Sequence, residues 1–271
     1  MLGRALVGAL EGNAEVTAVD LDDFDIGDGD AVMAAMLQTA PDVVFNCAAY
    51  TNVDGAESDR ETAFRVNAVG AGNVARAAAE AGARLLHVST DYVFDGRATE
   101  PYAEDAPTDP SSVYGQSKLA GEREVLSACG NALIVRTAWL YGHGGRNFVE
   151  TVLRLADGGD TLRIVDDQTG SPTYATDLAA VLKDLAATDV AGYVHATNSG
   201  TCTWYEFATA ILNAVGRDDV PVEPIATEDF GRPAPRPRYS VLSLERLEEV
   251  LGWTPRHWKK ALVEYLRWRN T

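Results

Sequence analysis

Lysine is scarce in this chain of 271 residues, where only Lys118, Lys183, Lys259 and Lys260 occur. Cysteine is scarcer, with Cys47, Cys129 and Cys202 at wide spacing. An odd count with no CxxC pair excludes a disulfide framework and a cysteine-based zinc centre. Cys47 lies in an apolar stretch and reads as core. The four histidines, His87, His143, His195 and His257, show no HxxxH or HxH spacing, so no metal site is expected. His87 falls inside an apolar strand and reads as a core residue. No apolar run reaches the roughly 18 residues that a membrane span needs. No basic-then-apolar leader opens the sequence, so a cytoplasmic location is expected. Ser89 is not part of a GxSxG elbow, which argues against a hydrolase.

Positive charge is also short. Forty acidic residues face 23 basic ones, a net charge of −17. Such a field repels nucleic acid and anionic membrane. An anionic small molecule would have to be held by local arginine. Arg232, Arg236 and Arg238 stand close together in a Pro-rich stretch, where they could hold a diphosphate. We hypothesise that the acidic, lysine-poor surface is halophilic, because salt screens self-repulsion. The expected sign is a melting temperature that rises with ionic strength. A flat salt response would leave a merely acidic protein.

What is present is concentrated between residues 85 and 118. Leu85–Val88 is a short apolar run of strand type that ends in Ser89, Thr90 and Asp91. Tyr114 and Lys118 are four residues apart at the start of a helical pattern, so the phenol and the amine share one helix face. An ammonium beside a phenol favours the phenolate, which lets the tyrosine exchange a proton near neutrality. A hydroxyl at the strand end can hold the oxygen that takes that proton. This set suits carbonyl reduction. A YxxxK pair alone is more often an ordinary surface pair; the strand-end hydroxyls carry the weight.

Strands and helices alternate through residue 140, which argues an α/β fold with a parallel sheet and helices on both faces. The chain opens directly on a helical pattern, Met1 to Leu10, where a dinucleotide-binding unit would first have a strand and a Gly-rich turn. We read this start as late, through a mis-assigned first codon or a truncation. Glu15–Asp20 reads as a strand, and Asp20 stands where a ribose-contacting carboxylate would lie, an alternative to a plain solvated acid. The pattern gives a helix over 28–37, a strand over 42–47, a helix over 57–81 with Asn67 in its apolar face, and a strand over 131–136. The small residues Ala48 and Ala49 before Tyr50 would let the backbone approach a cofactor. Later come helices over 149–156 and 176–187, the second with Thr176 as N-cap, and strands over 162–166 and 193–196. Thr203 and Glu206 form a capping box before another helix, and closing helices span 242–251 and 258–268. Trp253 and Trp258 read as packing residues.

The motifs Ser-Thr-Asp-Tyr-Val-Phe-Asp-Gly at 89–96 and Tyr-Gly-Gln-Ser-Lys at 114–118 resemble an extended short-chain dehydrogenase/reductase, and within it the dTDP-4-dehydrorhamnose reductase family. Segments 41–51, 136–141, 168–173 and 236–240 fit the same family, so the resemblance covers nearly the whole chain. It implies a Rossmann-type doubly wound parallel sheet, from residues 1–140 and about 174–198, with a smaller mixed α/β substrate domain from 141–173 and about 199–271. It implies NADPH or NADH as cofactor and a nucleotide-sugar substrate. A homodimer is compatible with it. Tyr114 would be the proton donor, Lys118 would lower its pKa and hold the nicotinamide ribose, and Thr90 would hold the reacting oxygen, with Ser89 as second choice. Asp91, Trp139 and Arg236 would meet the sugar nucleotide. Gly3, Asp20, Asp25, Ile26, Ala48, Ala49, Tyr50 and Asn67 would line the cofactor, with Asn67 also able to act as a strut. Asp20 leans towards NADH, and Arg4 could offset it. Two rivals stand. One is another nucleotide-sugar epimerase or dehydratase, the dehydratase disfavoured because Tyr92 rather than Glu follows Asp91. The other is a non-catalytic subunit like the branch that binds a methionine adenosyltransferase.

Overall fold

The structure, a computed structural model, describes residues 1–269. Its centre is a parallel sheet of β1 (Val43–Asn46), β2 (Arg84–Thr90), β3 (Leu133–Thr137) and the strand Gly192–His195, in that spatial order. The register pairs Val43 with Arg84, Leu86 with Leu133, and Leu133 with Gly192. Strand alternation sorts side chains between two layers. Leu85 and Ile134 face one cluster with Val74, Ala78 and Val125. Leu86, Leu133 and Val135 face the other, with Leu2, Leu6, Leu178 and Leu182.

The first cluster is built on α2 (Gly29–Thr39), α5 (Ala71–Glu80) and α6 (Val113–Ala128), which follow α3 (Val53–Ser58) and α4 (Arg60–Phe64). The second is built on α1 (Leu2–Leu10) and the helix Ala175–Ala186. Asp28 caps α2 by accepting from the amides of Asp30 and Ala31. α5 is rich in alanine, and Ala75, Ala77 and Ala78 are wholly buried. Small side chains there let the helix lie close to the sheet.

Several expectations are corrected. Residues 15–20 run without ladder bonds and are exposed, including Val16 and Val19. A strand exists only through lateral hydrogen bonds, and among the described residues none lies beyond β1 to supply them. The helix read over 57–81 is several pieces: α3, α4, a π-helical stretch at Arg65–Gly70, and α5. The helix read from Thr176 starts at Ala175 after Tyr174, with no side-chain cap. The closing helix read over 242–251 spans Glu245–Leu251, because Leu242 is drawn into a bridge with Tyr102. Trp253 is exposed rather than packed, whereas Trp258 is buried.

After residue 140 a separate cluster forms around Val149, Val152, Phe207, Ile211, Trp258 and Tyr265. A parallel strand pair, Leu162–Val165 with Val222–Ile225, lies beside it. The Thr203–Glu206 capping box is formed at the start of the helix Trp204–Ala214.

Candidate active site

The carboxyl end of β2 and the amino end of α6 meet where Thr90, Tyr114 and Lys118 converge. Ser112 caps α6 by accepting from the Gly115 amide. Two glycines then allow α6 to sit unusually deep. A Cβ on Gly115 would lie 2.2 Å from the Tyr92 carbonyl, and one on Gly121 would lie 2.0 Å from the Asn67 carbonyl. Both neighbours are backbone and cannot step aside. These contacts fix the height of Tyr114 and Lys118 relative to β2.

Thr90 ends β2 and opens a single 3-10 turn, Asp91–Val93. Its hydroxyl donates to Asp91 Oδ1 at 2.9 Å and accepts from the Tyr92 amide at 3.2 Å. It also acts on the Tyr114 phenol, where it favours the phenolate. The Tyr92 ring packs edge-on against Tyr114 at 5.4 Å between centroids. Lys118 is buried, and its Nζ donates to the Val88 carbonyl at 2.8 Å.

The electrostatics revise one expectation. Burial pushes the Tyr114 phenol up to about 12, only partly offset by the Thr90 hydroxyl. Burial also drives Lys118 down, to about 8, so the amine is still mostly charged at neutral pH.

Asp91 is buried, and its Oδ2 has no hydrogen-bond partner among the described residues. Burial raises its carboxyl to about 6, against the hydroxyls of Ser240 and Thr90. The folded state therefore holds a proton that the unfolded chain releases near 3.8. That stability is present below the unfolded value and lost as pH rises through about 6. Asp91→Asn is expected to retain what wild type loses over this window, on the order of 2–3 kcal/mol. Urea denaturation of both proteins at pH 4 and pH 7 measures it; a difference between them that ignores pH would refute the assignment.

The other residues singled out in the sequence fall as follows. Ser89 is turned away from Tyr114, its hydroxyl donating to Glu122 Oε1 at 2.6 Å. Successive strand residues face opposite ways, so only Thr90 can meet the phenol. Asn67 is a strut: its amide nitrogen donates to Ser117 Oγ and to the Tyr50 carbonyl, and its oxygen accepts from the Tyr50 amide. It holds the loop after β1 against α6. Asp25 accepts from Arg65 and from the Gly27 amide, which hold its carboxyl below the usual range. The Ile26 carbonyl accepts from Asn73. Ala48 is exposed, and Ala49 and Tyr50 are half-buried. Asp20 sits in the exposed stretch, its carboxylate bonded to the Leu21 amide. Gly3 is exposed in the first turn of α1.

Trp139 has a left-handed φ of +46°, rare for a bulky side chain. Its indole stacks on Trp204 at 3.5 Å and lies over Gly170, where a Cβ would be 2.5 Å from the ring. Backbone strain of this kind gathers at ligand sites. Arg236 is engaged by Asp54 through both guanidinium nitrogens at 3.0 Å. Arg232 also reaches Asp54, and Arg238 lies near Glu228. The arginine cluster is thus paired with carboxylates.

Sequence reasoning passed over Asn46 and Glu122 and read His87 only as a core residue. His87 and Glu122 are wholly buried, and all three have side-chain polar contacts in the layer behind Thr90. For Asn46 and His87 the available signal was a polar residue inside an apolar strand; Glu122, on α6, carried no such signal.

A parallel α/β sheet with a hydroxyl at one strand end, and a tyrosine and lysine one helical turn apart beside it, defines a short-chain dehydrogenase/reductase class of protein. The family described as "RmlD substrate binding domain" matches residues 1–270. A dTDP-4-dehydrorhamnose reductase of Streptomyces griseus is 47% identical over 272 residues, covering 97% of this chain and 89% of the relative. The crystal structure of a Clostridium acetobutylicum dTDP-4-dehydrorhamnose reductase superposes with a TM-score of 0.97 at 44% identity, covering 100% of this chain and 96% of that one. A Bacillus anthracis dTDP-4-dehydrorhamnose reductase, solved in complex with NADP, gives 0.94 at 38% identity, covering 98% and 95%. The chain belongs to the RmlD family of dTDP-4-dehydrorhamnose reductases.

Proposed function

We propose that this protein reduces the 4-keto group of a dTDP-linked 6-deoxysugar, taking dTDP-4-dehydro-L-rhamnose to dTDP-L-rhamnose with NADPH or NADH. The observation that carries the reading is the convergence of Thr90, Tyr114 and Lys118 at the end of β2, in a chain of this family.

The residues present fit a dinucleotide. Gly3 faces open space, and no acidic side chain stands in the first turn of α1, so that helix start can accept a diphosphate. Small, accessible Ala48 and Ala49 leave room beside β1. Bound NADPH or NADH would supply the hydride. Tyr114 gives its proton to the sugar oxygen, Thr90 holds that oxygen in line, and Lys118 holds the nicotinamide ribose. Asp91 and Trp139 orient the sugar, and Arg236 reaches the nucleotide by exchanging Asp54 for a phosphate. We take residues 1–140 with about 174–198 as the cofactor-binding unit and 141–173 with about 199–271 as the substrate-binding unit. The separate apolar cluster around Phe207 and Trp258 supports that division. We also propose a cytoplasmic site of action for this nucleotide-sugar chemistry, with a homodimer as its assembly. Among the described residues no helix is long and apolar enough to cross a membrane.

The test is oxidation of NADPH or NADH on adding dTDP-4-dehydro-L-rhamnose, with the dTDP-sugar product identified by mass and NMR. Stoichiometric dTDP-L-rhamnose supports the reading. No product from either cofactor would overturn it in favour of a non-catalytic subunit.

A further inference from the structure

One buried hydroxyl at the carboxyl edge of the sheet stands without a partner. Thr137 ends β3 and is the register partner of Thr90 at the end of β2. Paired residues of neighbouring strands lie about 4.8 Å apart and point to the same face. Two residues earlier, the register partners Val88 and Val135 both pack in the cluster built on α1, so Thr90 and Thr137 face that side too. Thr137 is buried, yet its Oγ1 has no hydrogen-bond partner among the described residues. Thr197, just past the strand Gly192–His195, does not serve it, because its own Oγ1 is also buried without a partner. Buried polar groups in folded proteins are nearly all satisfied, so an orphan beside a reacting site points to a ligand atom. We propose that the Thr137 hydroxyl is a cofactor-contacting group that hydrogen-bonds the carboxamide of the nicotinamide ring.

The assignment follows from where the cofactor must run. Its diphosphate fits the start of α1. The chain leaving β3 passes that start: a Cβ on Gly142 would lie 2.7 Å from the Ala175 side chain and 3.3 Å from that of Met1. The Met1 amino group and Lys118 both act electrostatically on the Cys47 thiol after β1, so α1, β1 and Lys118 close on one space. From there the hydride must reach a carbon whose oxygen is held by Thr90 and Tyr114. The ring that carries it therefore lies next to Thr90. In a nicotinamide the carboxamide stands on the carbon beside the one that gives the hydride. A group that holds the carboxamide must be a near neighbour of Thr90, and one strand over is Thr137.

The chemistry fits on both sides. A threonine hydroxyl both donates and accepts, and a primary amide offers a carbonyl and an NH2, so either direction of hydrogen bond is open. A ring turned over about its glycosidic bond would carry the carboxamide away from β3, so the contact also selects the face that presents the hydride. The other unpartnered buried atoms do not compete for this role. Arg84 Nε is at the opposite end of β2. The Tyr141 hydroxyl belongs to the ring cluster of Tyr174 and Tyr265. His195 is the register partner of Arg136, so its side chain points to the face opposite Thr137. Asp91, on the turn after Thr90, is taken up by the sugar.

The inference rests on the reductase reading and deepens it, and binding tests it without turnover. Isothermal titration calorimetry compares wild type, Thr137→Val and Thr137→Ser. The ligands are NADPH and NADH, and 2′-phospho-ADP-ribose and ADP-ribose, which keep the diphosphate and both riboses but lack the ring. Thr137→Val is expected to bind the reduced dinucleotide about 3–10-fold more weakly, the net worth of one hydrogen bond. Its affinity for the ring-less ligand should stay at the wild-type value, and Thr137→Ser should hold the dinucleotide as wild type does. Without cofactor, Thr137→Val should melt no lower than wild type, since valine has the same shape and leaves no polar group unpaired. Equal losses for dinucleotide and ring-less ligand, or a lower melting temperature of the free protein, would make the hydroxyl a structural group and overturn the proposal. So would a loss of dTDP binding in place of dinucleotide binding, which would put the hydroxyl on the substrate. A wild type that binds the dinucleotide, with Thr137→Val unchanged, refutes this contact alone. A wild type that binds neither dinucleotide nor ring-less ligand refutes the cofactor reading and this contact together.

Discussion

Tyr114→Phe is expected to lower turnover with a dTDP-4-keto sugar by about 10²–10⁴-fold, the range that a positioned proton donor contributes. The Thr90 hydroxyl acts directly on the phenol, and the Tyr114 ring packs edge-on against Tyr92. Phenylalanine keeps that packing and removes one hydroxyl. The melting temperature should therefore stay close to wild type, and NADPH affinity by fluorescence titration should change little. Loss confined to kcat separates a missing proton from a damaged site. The wild-type phenol, held near 12, is protonated throughout the working range, as a donor must be. Retained turnover in a folded Tyr114→Phe would remove Tyr114 from the mechanism and move attention to Asp91 and Lys118, buried groups that titrate at about 6 and about 8.

Much of this site was legible in sequence because it obeys two short periods. A four-residue spacing on a helix put Tyr114 and Lys118 on one face, and a strand end placed Thr90. The direction of the Ser89 side chain followed the period of two, although the residue chemistry alone made it a second candidate. The rest depended on partners distant in sequence. Nothing near Arg236 announces that it pairs with Asp54, and nothing near His87 announces Lys118. The stretch 15–20 has strand-like residues, but its structure depends on a neighbour that must hydrogen-bond it. Asn67 was legible as a polar group on an apolar helix face. The π-helical turn that aims it was not, since one extra residue per turn leaves no clear pattern. The left-handed backbone of Trp139 was equally hidden, and its ring partners, Trp204 and Gly170, are distant in sequence.

Glu122→Leu is expected to be the most destabilising single change, at about 3–5 kcal/mol. Glu122 and Arg136 form an ion pair with side chains 0% and 3% exposed. Arg136 Nε and Nη2 donate to the two carboxylate oxygens at 2.9 and 2.8 Å, and Ser89 donates to one of them. The guanidinium is enclosed by the rings of Phe94 at 5.0 Å and Tyr193 at 4.3 Å. Removing the carboxylate leaves a charge that cannot ionise away and has no water to reach, because arginine stays protonated in any protein environment. The remaining partners are the Glu104 carbonyl, two ring faces and the Glu104 carboxylate, which acts on Arg136 electrostatically but has no hydrogen bond to it here and accepts from the His195 amide. Replacing both residues, as Glu122→Leu with Arg136→Met, should cost much less than the two single changes added together, since no lone charge is then buried. Chemical denaturation of the three variants measures the coupling. Additive losses would mean that the pair contributes packing alone. A recovered double variant would show that the pair's value lies in how it holds the layer under Thr90: Ser89 is fixed by the same carboxylate, and the next residue along β2 is the one whose hydroxyl meets Tyr114.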